Sequence, residues 1–182
     1  MAGDADLSAL AGGGSTFDAS VLTFDFTSTS SDIFFNFVFA SSEYPQYVGT
    51  GFNDIFGLLV DGQNIALIPG TTTAVTINNV NAGANAGFFN DNSAGSFGNI
   101  PYGGFTTVFT ASLLGLTPGT HTMKIAIADI ADSSLDSAVF IEAGTFSSTD
   151  PTAVPEPFTV IGTLVGGTAA FRMKKKIADS SK

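Results

Sequence analysis

The chain has 182 residues, 16 acids against 6 bases, and no cysteine. That length fits one domain with a real core, and the absence of thiols excludes a disulfide framework, a cysteine nucleophile and a thiolate metal site. The net charge of −10 understates the body: five bases crowd the C-terminus, and residues 1–150 hold 14 acids and the single base Lys124, leaving −13, a balance that repels nucleic acid and attracts cations.

Met1-Ala-Gly-Asp-Ala-Asp has neither a basic start nor an apolar h-region, so no signal peptide is visible. A short helix is expected at Leu7 to Ala11, capped by Asp6 and broken by Gly12 to Gly14. Val21 to Thr27 alternates, with Leu22, Phe24 and Phe26 as its apolar face. A Ser/Thr/Asp turn then leads into Ile33 to Ala40, a hairpin arrangement in which Phe35, Phe37 and Phe39 share one face. Ile55 to Val60 is apolar on both faces, as a buried strand is. Asp61-Gly62 between apolar runs is a hairpin signal, because Gly adopts positive φ without cost.

The β-branched run Thr71 to Val80 predicts another strand. Asn81 to Gly104 is a long irregular loop, with a brief strand at Phe88 and Phe89. Strands follow at Thr106 to Ala111, at Met123 to Ala128 with period-two alternation, and at Ala138 to Phe146. Many short strands punctuated by turns predict an all-β fold, an antiparallel β-sandwich of jelly-roll-like form.

Two loops gather oxygen donors. Glu43, Asn53 and Asp54 lie between two apolar strands, and Asp129, Asp132 and Asp136 lie before the closing strand. A sandwich collects its loops at two ends, so the sets are placed to converge. Oxygen ligands without cysteine suit a hard cation, and calcium is the expected cofactor. Turn capping by the same side chains is the alternative. Tyr44, Tyr47 and Tyr102 lie in loops near these acids, where they either pack or stack on a sugar ring.

Residues 147–154 read as a polar linker. Beyond them come Pro155, Glu156 and Pro157, an apolar run of 14 residues from Phe158 to Phe171, and the bases Arg172, Lys174, Lys175 and Lys176. As a short C-terminal apolar helix that run spans ~21 Å, less than the ~30 Å hydrocarbon core. The basic end marks a cytoplasmic stop, so the tail reads as a marginal membrane segment. The order of these three parts over Val154 to Lys176 resembles the PEP-CTERM sorting signal of exported bacterial proteins. The resemblance implies an exosortase-type processing enzyme as a partner, and an exported protein held transiently in the membrane by its C-terminus before residing in the cell envelope or outside it.

The body carries a second resemblance. Phe39-Ala-Ser-Ser-Glu-Tyr-Pro-Gln-Tyr-Val-Gly, Phe52-Asn-Asp-Ile-Phe-Gly, Asn64-Ile-Ala-Leu-Ile-Pro-Gly-Thr, Ile77-Asn-Asn-Val-Asn, Tyr102-Gly-Gly-Phe-Thr-Thr and Ile125-Ala-Ile-Ala-Asp with Leu135-Asp-Ser-Ala-Val-Phe-Ile-Glu-Ala-Gly are similar to the choice-of-anchor L domain of surface proteins. In that pattern Gly3-Asp-Ala-Asp-Leu lies inside the domain, so an N-terminally incomplete sandwich over residues 1–146 is expected, followed by the linker and a sorting segment over 155–182. The resemblance implies a surface or adhesion module and brings no settled enzyme activity.

Enzyme chemistry finds few tools. His121 is the only histidine and reads as a surface or turn residue, because a general base needs a partner in reach. Glu43 with Glu142 or Asp136 is the one candidate glycosidase pair. The expected function is therefore a non-catalytic adhesion or binding module, calcium-dependent, contacting exopolysaccharide or another surface glycan. The alternative is a carbohydrate-active hydrolase using the acidic loop residues.

Overall fold

The structure is a computed structural model that describes residues 2–152. The expected C-terminal helix and the sorting residues Pro155 to Lys176 lie outside the described residues. The body up to Pro151 is one compact unit. It contains ten strands: β1 (Thr16–Ser28), β2 (Asp32–Ser41), β3 (Ile55–Val60), β4 (Gln63–Asn64), β5 (Val75–Thr76), β6 (Phe89–Asp91), β7 (Gly104–Thr106), β8 (Phe109–Leu114), β9 (Gly119–Ile130) and β10 (Ser137–Ile141). One sheet runs β1-β9-β3-β4, with β5 also on β3; the other runs β10-β2-β7-β6, with β8 also on β2. Every pairing is antiparallel.

The two sheets face each other across a phenylalanine-rich core. Period-two geometry sends Phe35, Phe37 and Phe39 of β2 inward to meet Phe56, Leu58 and Val60 of β3, Phe109 of β8 and Met123 of β9. Phe37 is central, its ring centroid 5.0 Å from that of Phe56 and 5.8 Å from that of Phe109. The outer face of the β3/β9 pair is built for a helix. Gly57, Ala126 and Ala128 leave room there for α1 (Ala5–Leu10), whose Leu7 is fully buried against Ile55 and Ile130. A methyl at Gly57 would lie 2.8 Å from Leu7 Cδ2. The Lys124 ammonium fixes the helix through Asp4 and Asp6, each at 2.6 Å.

Several sequence expectations change. The helix starts earlier and its cap is Asp4, whose side chain accepts from the amides of Asp6 and Leu7. β1 does not form a hairpin with β2; the turn after Ser28 carries the chain to the opposite sheet, and β1 pairs with β9. β1 is also an edge strand with β9 as its one neighbour, which leaves Leu22 at 58% exposure. Only Val75–Thr76 of the β-branched run is strand, because the Asn79 amide donates to the Thr76 hydroxyl and the Asn81 side chain bonds the Ile77 carbonyl and the Gly83 amide, turning the chain. The strand expected at Thr106 to Ala111 is split into β7 and β8. The Asp61-Gly62 hairpin is present, with φ of 49° and 83° at its two turn residues.

His121, at the start of β9, is buried rather than exposed. Its Nδ1 lies 2.6 Å from Asp61 Oδ2 and its Nε2 lies 2.7 Å from the Thr117 carbonyl oxygen. A carboxylate and a carbonyl only accept, so both ring nitrogens carry protons and the ring is an imidazolium. The hydrogen bond to Asp61, then that to Thr117, raises the His121 pKa, and the same contact lowers that of Asp61. This pair closes the end of the sandwich where β3 turns into β4.

Phe37 makes the core test direct. Phe37→Ala is expected to lower unfolding free energy by about 3–5 kcal/mol, read as a lower urea midpoint with an unchanged slope. A loss below about 1 kcal/mol would mean that the sheets do not pack on this ring.

Candidate functional site

At the opposite end from His121, chain segments of both sheets bring carboxylates together. Asp54 immediately precedes β3, and Glu43 follows the end of β2. Asp129 lies near the end of β9, paired with Phe17 of β1. Residues 131–136 cross from β9 to β10 and carry Asp132 and Asp136. The pairing of Ser137 with Ser41, and the Ser42 amide donating to the Asp136 carbonyl at 3.1 Å, hold that crossing beside β2.

Asp54 is fully buried. Its Oδ2 accepts from the hydroxyls of Ser41, at 2.8 Å, and Ser137. Its Oδ1 has no hydrogen-bond partner, and neither has Oε2 of Glu43, a residue only 1% exposed. The Ser41 hydroxyl also accepts from the Glu43 amide at 3.0 Å, linking the two acids. A buried oxygen without a partner costs about 1–3 kcal/mol or more when charged, so two on acids linked through Ser41 call for a ligand or a proton.

Electrostatics show which acids are neighbours. Burial, then the charges of Asp54, Asp132 and Asp129, push the Glu43 carboxyl up to about 8. Burial, then Asp54, Asp132, Asp18 and Asp136, push Asp129 up to about 7. Burial raises Asp54 as well, although the Ser137 and Ser41 hydroxyls pull it back. The two acidic stretches therefore meet, and Asp18 of the β1 bulge joins them. Asp18 gave no sequence signal; it occupies the left-handed region at φ 53°, which Asp tolerates better than most residues. Asn53 is engaged elsewhere, its side-chain oxygen accepting from the Asn78 amide at 2.9 Å. Glu142 accepts from Asn36 Nδ2 rather than pairing with Glu43. Among the described residues no three acid or histidine side chains already stand as a metal-binding group.

The crossing is strained. Ala131 and Leu135 hold φ of 77° and 69°, and such non-glycine conformations cost of order 1–3 kcal/mol each. Beside it opens a cleft of about 270 Å³ lined by Asp18, Asp129, Asp136, Ser137 and Tyr102 over Ile127 and Ala128. Of the three tyrosines only Tyr102 lines it. Tyr44 is buried and donates to the Val80 carbonyl at 2.6 Å, and Tyr47 packs edge-on against Phe52.

Two facing antiparallel sheets with an acid-lined end define an all-β module. The chain belongs to the choice-of-anchor L domain family, which it matches over residues 1–147. That membership places it with exported or cell-surface, non-catalytic modules. No curated protein and no solved structure matches the chain. Among the described residues no helix is long and apolar enough to cross a membrane.

Glu43 and Asp129 hold protons more tightly folded than unfolded. Their contribution to stability is complete below their ordinary pKa values and is lost as pH rises through about 7 to 8. In chelator the melting temperature should fall between about pH 5 and about pH 9. His121, with its raised pKa, adds a loss in the same direction, so the readout is the difference from Glu43→Gln, which keeps His121 and should show a shallower fall. Parallel curves for the two proteins would remove Glu43 as a source of the dependence.

Proposed function

We propose that the chain is an adhesion or matrix-contact module delivered to the cell surface by its C-terminal tail, with calcium held at the acid-lined end. The observation that carries the module reading is the family match over residues 1–147, which leaves the Pro155-Glu156-Pro157 segment, the apolar run and the basic end outside the domain. The tail then acts as an address for an exosortase-type enzyme, and Arg172, Lys174, Lys175 and Lys176 hold its end on the cytoplasmic side. Neutralising these four bases should disturb membrane retention or processing in fractionated cells; unchanged retention and processing would end the sorting reading.

A non-catalytic role is favoured by burial. Glu43 and Asp54, the acids with free oxygens, are 1% and 0% exposed and out of reach of a polymer. His121 has both nitrogens engaged, so it offers no general base. Release of reducing ends from a matrix polysaccharide, lost in Asp136→Asn, would replace this reading with a hydrolase.

Calcium answers the unpartnered oxygens. In this reading the ion draws on the unpartnered oxygens of Glu43 and Asp54 and gathers Asp129, Asp132 and Asp136 around it; calcium accepts variable oxygen geometry. A native-state ligand at about a hundredfold its Kd adds about 2.7 kcal/mol, a rise of roughly 5–10 °C for a chain of this size. The full chain should show that rise between chelator and calcium. No rise, or an equal rise in Asp54→Asn with Asp136→Asn, would make these acids ordinary.

A further inference from the structure

The acid-lined end has a closed side and an open side. Glu43 and Asp54 form the closed side, with their free oxygens among the charges of Asp129 and Asp132. Asp129 and Asp136 also line the open cleft. An ion seated among these carboxylates is therefore walled by protein on one side and faces the cleft on the other. Calcium accepts about 6–8 oxygens, so even if Glu43, Asp54, Asp129, Asp132 and Asp136 all closed around the ion and each lent one oxygen, positions would be left for oxygens from outside.

The charge of the body decides what supplies them. Residues 1–150 carry −13, and a dication in the site leaves that field strongly negative. An anionic ligand such as a uronate or a phosphate meets repulsion on approach, whereas neutral hydroxyls do not. A pair on adjacent ring carbons is the compact way to offer two oxygens to one ion. The rest of the cleft suits the remainder of a sugar. Tyr102 lines the same cleft as the acids and is backed edge-on by Phe140, with ring centroids 6.3 Å apart at 73°. Ile127 and Ala128 are the apolar lining. Acids and an aromatic in one lining match a ring that has hydroxyls at its edge and C–H groups on its face. At about 270 Å³ the cleft falls just below the roughly 300–1,000 Å³ of drug-sized sites, in keeping with one ring of a polymer.

We infer that this cleft binds a neutral sugar through a vicinal diol that completes the coordination of the calcium ion, with the sugar face stacked on Tyr102. The inference rests on the calcium reading above and adds the ligand, its chemistry and a residue that recognises it.

The test uses the full chain in calcium, titrated by calorimetry with three neutral polymers. A 1,6-linked glucan keeps three adjacent hydroxyls on each ring, and a 1,4-linked mannan keeps a cis pair. A 1,3-linked glucan has no adjacent pair within the chain. Binding is expected for the glucan or the mannan with vicinal hydroxyls, not for the 1,3-linked glucan, and is expected to vanish in chelator and after periodate cleavage of the diols. Tyr102→Ala should weaken it by about tenfold or more while leaving the calcium-induced rise in melting temperature unchanged, and Tyr102→Phe should retain it. The inference is overturned alone if calcium raises the melting temperature but neither diol-bearing polymer binds, if the 1,3-linked glucan binds as well, or if Tyr102→Ala binds normally. Binding that survives chelator would point to direct contact with the carboxylates and also overturn it. No effect of calcium on melting would instead remove the calcium reading beneath it.

Discussion

The fully buried carboxylate of Asp54 ties the two sheets at one end of the sandwich. It stands at the start of β3 in one sheet and accepts hydroxyls from Ser41 of β2 and Ser137 of β10 in the other. Both bonds go to the same oxygen, which orients the carboxylate and leaves its second oxygen without a partner. Removing an acid from water is costly, so a fold that puts Asp54 here must also fix what surrounds it. The Ser41 hydroxyl accepts from the Glu43 amide, the Ser42 amide donates to the Asp136 carbonyl, and the crossing from β9 to β10 holds two residues in the left-handed region. Stability is given up locally to present oxygens together.

β3 shows how differently the two ends are treated. It runs from Asp54 at one end to Asp61 at the other, with six buried residues between them. Asp61 is neutralised by the His121 imidazolium and accepts the Thr122 amide. Asp54 has hydroxyls for company and further acids beyond them. The first end is a closed structural pair. The second is an electrostatic deficit held in place by a rigid strand, which is the arrangement expected where a ligand completes the site.

Local pattern made some of this legible. The alternation of Phe35, Phe37 and Phe39 marks the inward face of β2, and the unbroken apolar run Ile55 to Val60 marks a strand covered on both sides, by the opposite sheet and by α1. Asp61-Gly62 marks its turn because positive φ is a property of those two residues. What stayed hidden depends on contacts distant in sequence. β1 finds β9 about a hundred residues later, and a local turn signal says nothing of that partner. Asn53 is diverted by Asn78, and His121 is engaged by Asp61, separations of 25 and 60 residues that no spacing rule links. The acid cluster was half legible: its residue types and strand-end positions are in the sequence, but Asp18, Ser41 and Ser137 reach it only through bulge and sheet register.

The distribution of bases bears on the proposed cation. Up to Asp150 the chain has one lysine and one histidine. Lys124 is held between Asp4 and Asp6, and His121 between Asp61 and Thr117. Neither bears on Glu43, Asp54 or Asp129, whose shifts all arise from burial and other acids, relieved at Asp54 by two hydroxyls. Within the body, then, the cluster is neutralised by protons or by ions from solution. Protons can neutralise Glu43 and Asp129 up to about pH 7 to 8, but are progressively lost above it. A dication would supply charge and coordination in one step, to oxygens from both sheets and from the strained crossing. The same ion that relieves the carboxylates would therefore stiffen the connection into β10 and fix the wall of the cleft that Tyr102 overlooks.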